Sequence, residues 1–398
     1  MTLTSTIEYI SLTITSILLI LFIVAVRNIF RFSRLQVISQ ERFNTILRNK
    51  GLHSAPLVSV LVPARNEERL IRECVQSLAQ QEYVNAEIVV LNDKSTDRTG
   101  EILQGLSQQY PHVRIVQGGD LPDGWVGKNY ACHTLASHAQ GEYLLFTDAD
   151  TIHKPHMLQS AVAMMLEQKL DFISMIPDEE MISWGEKIII PMIHFLYFAY
   201  LPNDIITKSQ KASVSAANGQ FMFFSRKAYD YIGGHTIVKN NIVEDVFLAK
   251  EIKKNGLRMA LVDGTQSVTC RMYTSFKEAF EGFSKNLFAG FSFHLPTFVI
   301  FLLHLLLLYI IPFLTVVYAI IYPEPPNSIL YLSIINIVIP VCIRLIMAYR
   351  FRLSISASLL HVITVFSCIA IGINSLRWTY SKRGIQWKGR EYKKQSLQ

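Results

Sequence analysis

The sequence predicts an α/β domain with a mainly parallel sheet, set between membrane-spanning segments. Short β-branched runs alternate with helical periodicity from about Leu52 to Gly282. Those runs end in polar clusters rich in acidic side chains. Half of the 398 residues are hydrophobic, and the longest apolar stretches lie toward the two ends.

The first such stretch, Tyr9 to Val26, has the length needed to cross a bilayer core. It lacks the basic leader and small-residue cleavage site of a removable signal, so it reads as a retained anchor. Glu8 precedes it, whereas Arg27, Arg31 and Arg34 follow. By the positive-inside tendency the chain beyond it is expected in the cytoplasm.

Val58–Val62 is a continuous apolar run ended by Pro63, as expected for a parallel strand covered on both faces. Leu70, Cys74 and Leu78 then recur at helical spacing. A second buried strand, Ile88–Leu91, stops at Asn92-Asp93, and Ile102, Leu103 and Leu106 mark the next helix. Tyr143–Phe146 is a third strand, running into Thr147-Asp148-Ala149-Asp150. Such alternation implies right-handed crossovers, with ligands bound beyond the carboxyl ends of the strands. The polar clusters sit at those ends.

Near Thr274–Phe291 a helix aligns Phe276, Phe280, Phe283, Leu287 and Phe291, with Lys277, Glu281 and Lys285 opposite; it reads as a helix in the membrane interface, with a core helix as the alternative. Three apolar runs follow, Leu295–Ile321, Ile329–Met347 and Ile355–Leu376, with Pro312 and Pro340 as expected kinks. Tyr322–Asn327 reads as a turn between the first two. If all three cross, the basic tail (Lys382, Arg383, Lys388, Arg390, Lys393, Lys394) ends opposite the soluble domain, against the positive-inside tendency. One run is therefore expected to be re-entrant or interfacial. The organisation is thus an anchor over 1–34, a soluble domain over 50–273, an interfacial helix over 274–294, transmembrane helices over 295–376 and a basic tail over 377–398.

Much of the net charge of +7 flanks the apolar segments, where each Lys or Arg near anionic lipid contributes about 1 kcal/mol. No nucleic-acid-binding motif accompanies it, so nucleic acid is not an expected partner. The five cysteines show no CxxC spacing, which favours reduced thiols over disulfides or zinc.

Asp148 and Asp150 lie two apart, so an extended backbone puts both carboxylates on one side. Either they form a solvated turn or they share a hard divalent ion with a diphosphate. Asp93 reads as a hydrogen-bond acceptor for a base N–H or as a helix cap; Asp97 reads as the cap. Lys128, after the Gly124–Gly127 loop, reads as a partner for phosphates or as a solvated lysine, and Trp125 as packing. Glu244 and Asp245 open a helix: Asp245 is either a general base or half of a dipole-stabilised cap.

Taken in order, Pro63-Ala64-Arg65-Asn66-Glu67, Asn92–Asp97, Asp148-Ala149-Asp150 and Glu244-Asp245 resemble the inverting family-2 glycosyltransferases of GT-A fold. That likeness implies a nucleotide-sugar donor, a UDP-sugar above all, and a hexose transferred with inversion by in-line attack of an acceptor hydroxyl. It makes Ala64, Glu67 and Asp93 nucleoside contacts, Lys128 a diphosphate contact, Asp148 a donor and metal contact, Asp150 the ligand of Mg2+ or Mn2+, and Asp245 the base. Gly124–Lys128, Gly233-Gly234-His235, Arg271-Met272-Tyr273, Glu281–Lys285 and Trp387–Tyr392 add a narrower resemblance to carotenoid glycosyltransferases of the diaponeurosporenoate and chlorobactene type. It implies a membrane lipid or carotenoid-like acceptor; hopanoid, sterol-like and glycerolipid acceptors stay open. Gly219, Gln220, Glu244, Arg271, Lys285, Trp387 and Arg390 are the acceptor-site candidates. The QxxRW motif of processive synthases is missing: Glu281–Asn286 stands there instead, which disfavours polymer synthesis.

Overall fold

The computed structural model describes residues 3–201, 203–321, 327–381, 385–388 and 390–392. The chain divides into two compact units. One comprises Phe32–Glu180, Ile205–Met272 and Gln386–Gln398, the other Met1–Arg31, Met181–Asp204 and Tyr273–Ile385.

The first unit is built on a seven-stranded sheet of order β3-β2-β1-β4-β8-β6-β9. Its strands are β1 (Val58–Ala64), β2 (Ala86–Asn92), β3 (Val113–Gln117), β4 (Tyr143–Thr147), β6 (Phe172–Ile176), β8 (Phe221–Ser225) and β9 (Met259–Asp263). All neighbours pair in parallel except β8, which runs against both β4 and β6. The mainly parallel α/β sheet is therefore as the sequence predicts. Helices cover its faces, so Val60, Val62, Val90, Leu145, Ile173 and Phe223 are all buried. Full burial of such a side chain contributes about 1.5–3 kcal/mol.

Register builds the ligand edge. Ala64 lies opposite Asn92, and Leu61 opposite Phe146. The segments leaving β1, β2 and β4 (Arg65–Glu67, Asp93 and Asp148) thus emerge side by side at one end of the sheet. A smaller sheet, of β5 (Thr151–His153), β10 (Val268–Cys270) and β7 (Asp178–Glu179), closes beside it. Its register sets Cys270 between Thr151 and Glu179. A two-stranded ribbon of β11 (Ile385–Trp387) and β12 (Arg390–Tyr392) completes the strands among the described residues.

In the helical unit four helices are long and apolar enough to cross a bilayer: Thr4–Arg31, Leu295–Ile321, Asn327–Phe351 and His361–Tyr380. Thr15 Oγ1 donates to Asn336 Oδ1 at 2.7 Å, and Asn336 Nδ2 to the Ser11 carbonyl at 3.1 Å, so polar groups in the apolar helices find each other. Pro312 follows a π turn, Leu306–Ile310, inside the second of these helices. With no N–H to offer the Leu308 carbonyl, it is accommodated by the wider turn. Pro340 sits within the third.

Three expectations need correction. The apolar run Ile355–Leu376 is broken at Leu360: a short helix, Ile355–Leu359, precedes the longer one. The soluble stretch 50–273 is interrupted, because the apolar helix Pro191–Tyr200 groups with the helical unit, where Asn28 donates to the carbonyls of Phe198 and Leu201 at 2.7 and 2.8 Å. The aromatic helix spans Phe276–Asn286, and only part of its stripe faces outward: Phe276 is 47% exposed, whereas Phe283 packs with Ala279, Ile189 and Ile371. The expected turn after Ile321 lies outside the described residues over 322–326, as do Lys382, Arg383, Lys393 and Lys394 of the tail.

Candidate active site

Lys128 is the hub of the site. It stands in the first turn of the helix Gly127–His138. Its Nζ lies 2.7 Å from Asp148 Oδ1 and 3.0 Å from Glu244 Oε1. Burial pulls the ammonium toward its neutral form, yet Asp148 and Glu244 outweigh it and hold its pKa well above the usual value. The β4 terminus, the loop before β8 and the helix Glu244–Lys254 therefore meet at one cation.

Gly219 brings Asp245 into the same cluster. Its N–H donates to Asp245 Oδ2 at 2.9 Å, and Val246 N–H donates to Oδ1 at 2.8 Å. A Cβ on Gly219 would stand 3.2 Å from Lys128 Nζ and 3.4 Å from Glu244 Oε1, so a larger residue here would press on the Lys128 contacts. Burial, then the charge of Glu244, raises the Asp245 carboxyl above the ordinary range. A carboxylate tuned upward is a better proton acceptor near neutral pH.

Asp150 is the second focus. Burial, then Asp148 and Glu67, raise its carboxyl, and Oδ1 is buried without a hydrogen-bond partner. Glu179, overlooked in the sequence, faces the same problem: burial and then Asp150 push it up to about 8, and its Oε2 is likewise orphaned. A signal existed. Asp178-Glu179-Glu180 follows the buried run Phe172–Ile176 just as Asp148-Ala149-Asp150 follows β4. The Asp148–Asp150 turn is braced from below, with Thr151 Oγ1 donating to the Asp148 carbonyl at 2.7 Å and Thr147 Oγ1 to the Gln220 carbonyl at 2.8 Å.

Hard oxygens, mutual repulsion and an unmet buried carboxylate are what a divalent cation would relieve, so the residues fit one. Among the described residues no three acidic, histidine or cysteine side chains converge to hold an ion unaided. Asp148 and Asp150 would need oxygens from a bound phosphate to complete the shell.

Glu67 and Asp93 are brought together at the ends of β1 and β2, with Asp93 N–H donating to the Ala64 carbonyl at 2.8 Å. Their partners come from the tail. Arg390 binds Asp93 through two hydrogen bonds of 2.6 and 2.9 Å, and Lys388 pairs with Glu67. Arg65 ties both together, donating to the carbonyls of Asp93 (2.7 Å) and Lys388 (3.1 Å). Asp97 is corrected: it accepts from Thr99 N–H at 3.0 Å in a local turn one residue ahead of the N-cap, Arg98, so it does not cap the helix Thr99–Gln109.

The acceptor candidates scatter. Gly219 and Glu244 stand in the Lys128 cluster. Arg271 stands beside Asp150, whose carbonyl accepts its backbone N–H at 3.3 Å. Gln220 is corrected: it is 3% exposed, and its Nε2 donates to Cys270 Sγ at 2.8 Å, so it braces the side sheet and does not face an acceptor. Arg390 is taken up by its two hydrogen bonds to Asp93 at the end of β2. Lys285 belongs to the helical unit. The Trp387 side chain lies outside the described residues.

Residues 59–233 match the Glycosyl transferase family 2 model. A 4,4'-diaponeurosporenoate glycosyltransferase of Staphylococcus haemolyticus is 29% identical over 237 residues, covering 59% of this chain and 62% of the relative. Its Staphylococcus aureus counterpart is 27% identical over 237 residues, covering 58% and 61%. The chain thus spans about three fifths of the length of the curated relatives it matches. Among solved structures, a mannosyltransferase of Pyrobaculum calidifontis, in complex with GDP-Man and Mn2+, aligns with a TM-score of 0.50 at 17% identity, over 93% of this chain and 98% of that one. The chain has a GT-A-like fold, matches the family 2 glycosyltransferase model over residues 59–233 and resembles the diaponeurosporenoate glycosyltransferases.

Proposed function

We propose that this chain transfers a hexose, with inversion, from a UDP-sugar to a membrane lipid or carotenoid-like acceptor at the cytoplasmic face. One observation carries the reading: Lys128 joins Asp148 to Glu244 while Asp245, tuned upward by burial, shares Gly219 with them. The names of the Staphylococcus relatives support the acceptor class, and the Pyrobaculum complex supports a nucleotide-sugar donor with a divalent ion.

Asp148 and Asp150 would hold a Mg2+ or Mn2+ ion, which would supply positive charge to the departing diphosphate. Lys128 sits within reach of the same diphosphate and adds charge there. Asp245 accepts the acceptor hydroxyl proton at Oδ1 or Oδ2, leaving the oxygen free to attack the anomeric carbon from the opposite side. Ala64, Glu67 and Asp93 receive the nucleoside.

The arginines after Tyr9–Val26 support a cytoplasmic site. Lys388 and Arg390 touch Glu67 and Asp93, so the tail returns to the side of the acids. The chain between Met272 and Gln386 then crosses the bilayer an even number of times. We assign the interfacial position to His361–Tyr380, which pairs lengthwise with the Phe276–Asn286 helix and its C-terminal continuation. Asn374 Nδ2 donates to Ser284 Oγ at 3.0 Å, and Phe288 N–H donates to Ser375 Oγ at 3.1 Å.

The test is membranes given labelled UDP-glucose or another UDP-hexose. Label should appear in an organic-extractable glycolipid, and both Asp150→Ala and Asp245→Asn should abolish it, the latter with nucleotide binding retained. An alcohol-insoluble polymer, or full transfer by either variant, would overturn the reading.

A further inference from the structure

The helical unit contains a buried cation that no ion pair meets among the described residues. Arg344 lies two turns from the end of the helix Asn327–Phe351, is 1% exposed, and has no hydrogen-bond partner at Nη1. His361 opens the helix His361–Tyr380, is 4% exposed, and has neither ring nitrogen bonded. The two are close enough to interact electrostatically. Native proteins rarely leave such groups unmet, and ionisable residues inside apolar helical bundles mark functional positions.

A cavity of about 140 Å3 lies at the same level. Tyr309, Asn336 and His361 give it a polar side, while Phe313, Ile337, Pro340, Val341, Leu359 and Val362 form the rest. Arg344 is not itself a lining residue; it lies one turn beyond Pro340 and Val341 on the same helix, next to the face that lines the cavity. Two backbone irregularities frame it. Pro340 deprives the Asn336 carbonyl of its helical donor, and the π turn Leu306–Ile310 carries Tyr309.

Among the described residues no acid pairs with the arginine, and the helix Leu3–Arg31, which packs on Asn327–Phe351, carries its one acid, Glu8, near its start. Leu295–Ile321, Asn327–Phe351 and His361–Tyr380 contain no Asp or Glu. Glu186 is engaged by the Ser183 cap, taking hydrogen bonds from the N–H groups of Ile182 and Ser183. Tyr309 Oη is held by Tyr200 Oη at 2.5 Å, and Asn336 by Thr15 and Ser11. What the cavity lacks is an anion.

We propose that it receives the anionic head of an amphipathic lipid, a carboxylate or phosphate group on an apolar chain. Arg344 and His361 meet the charge, and the apolar walls meet the first carbons. The volume equals about five water-sized groups, enough for a head and the start of a chain with the remainder lying among the exposed apolar helix faces. The site is independent of the transfer reaction.

Native mass spectrometry of the full chain in a neutral detergent tests this, with oleate, lysophosphatidate, oleyl alcohol and inorganic phosphate titrated separately. Oleate or lysophosphatidate should bind at least tenfold more tightly than oleyl alcohol and phosphate, and Arg344→Met should remove that preference while Arg344→Lys keeps part of it. Should Arg344→Met fail to fold, His361→Phe, whose ring retains the packing on Phe195, should weaken the two anionic amphiphiles and not the alcohol. Equal binding of oleyl alcohol, phosphate binding as tight as lysophosphatidate, or unchanged binding in the variants would each overturn the proposal.

Discussion

Lys128→Met removes one cation from between two carboxylates. The Nζ contacts are 2.7 and 3.0 Å, with side-chain exposures of 19% for Lys128, 27% for Asp148 and 6% for Glu244. At an effective dielectric of about 20, each contact supplies about 6 kcal/mol of attraction, most of it offset by the desolvation already incurred. Breaking a buried pair costs roughly 3–5 kcal/mol, and the water still reaching Asp148 and Lys128 argues for the low end, about 3 kcal/mol. For a unit of this size that lowers Tm by about 6–12 °C. The measurement is thermal unfolding of the purified protein in detergent, alongside transfer kinetics. Lys128→Met/Glu244→Gln should recover about half of the lost stability, because one stranded carboxylate is gone, yet recover no activity. If Lys128→Met unfolds within 2 °C of the native protein, roughly the shift of 1 kcal/mol or less, the hub does not hold the site together.

Other consequences are as direct. Asp245 must be unprotonated to act, and its carboxyl is raised by burial and Glu244, so kcat/KM should fall with decreasing pH along a limb centred above the ordinary carboxylate range. A limb near pH 4 would remove Asp245 as the base. A Cβ on Gly118 would stand 2.9 Å from Asp93 Cα and 3.2 Å from the Asn92 carbonyl, so Gly118→Ala should destabilise by about 1–3 kcal/mol and raise donor KM more than it lowers kcat. Initial rates across donor concentrations check this; an unaltered KM would detach Asp93 from nucleoside recognition. Arg390 occupies both oxygens of Asp93, and a charge-assisted bond contributes about 1.5–3 kcal/mol, so Arg390→Met should tighten UDP binding about tenfold by calorimetry. Weaker binding would instead make Arg390 a ligand of the nucleotide.

The sheet was legible because parallel strands covered on both faces leave an unbroken apolar run, as Val58–Val62 and Tyr143–Phe146 do. The short strand Val113–Gln117 was not, since it lies at an edge and mixes Arg114 and Gln117 into its pattern. Asp148, Asp150 and Asp245 announced themselves by following or opening regular elements. Glu179 follows a buried run as well, but its approach to Asp150, like that of Cys270, is made by the three-stranded side sheet and is not written in the spacing. Membrane helices were plain from length, yet the break at Leu360 was hidden: residues on both sides are equally apolar, and hydropathy carries no record of backbone direction. The tail's cations were visible as charge, but their target lay far away in sequence.

That separation sets an order of events during synthesis. Asp93 precedes Arg390 by 297 residues, and Glu67 precedes Lys388 by 321. The sheet, its acids and every apolar helix leave the ribosome before the basic ribbon does. Until that ribbon emerges, Asp93 and Glu67 stand at the strand ends without the cations that meet them in the folded protein.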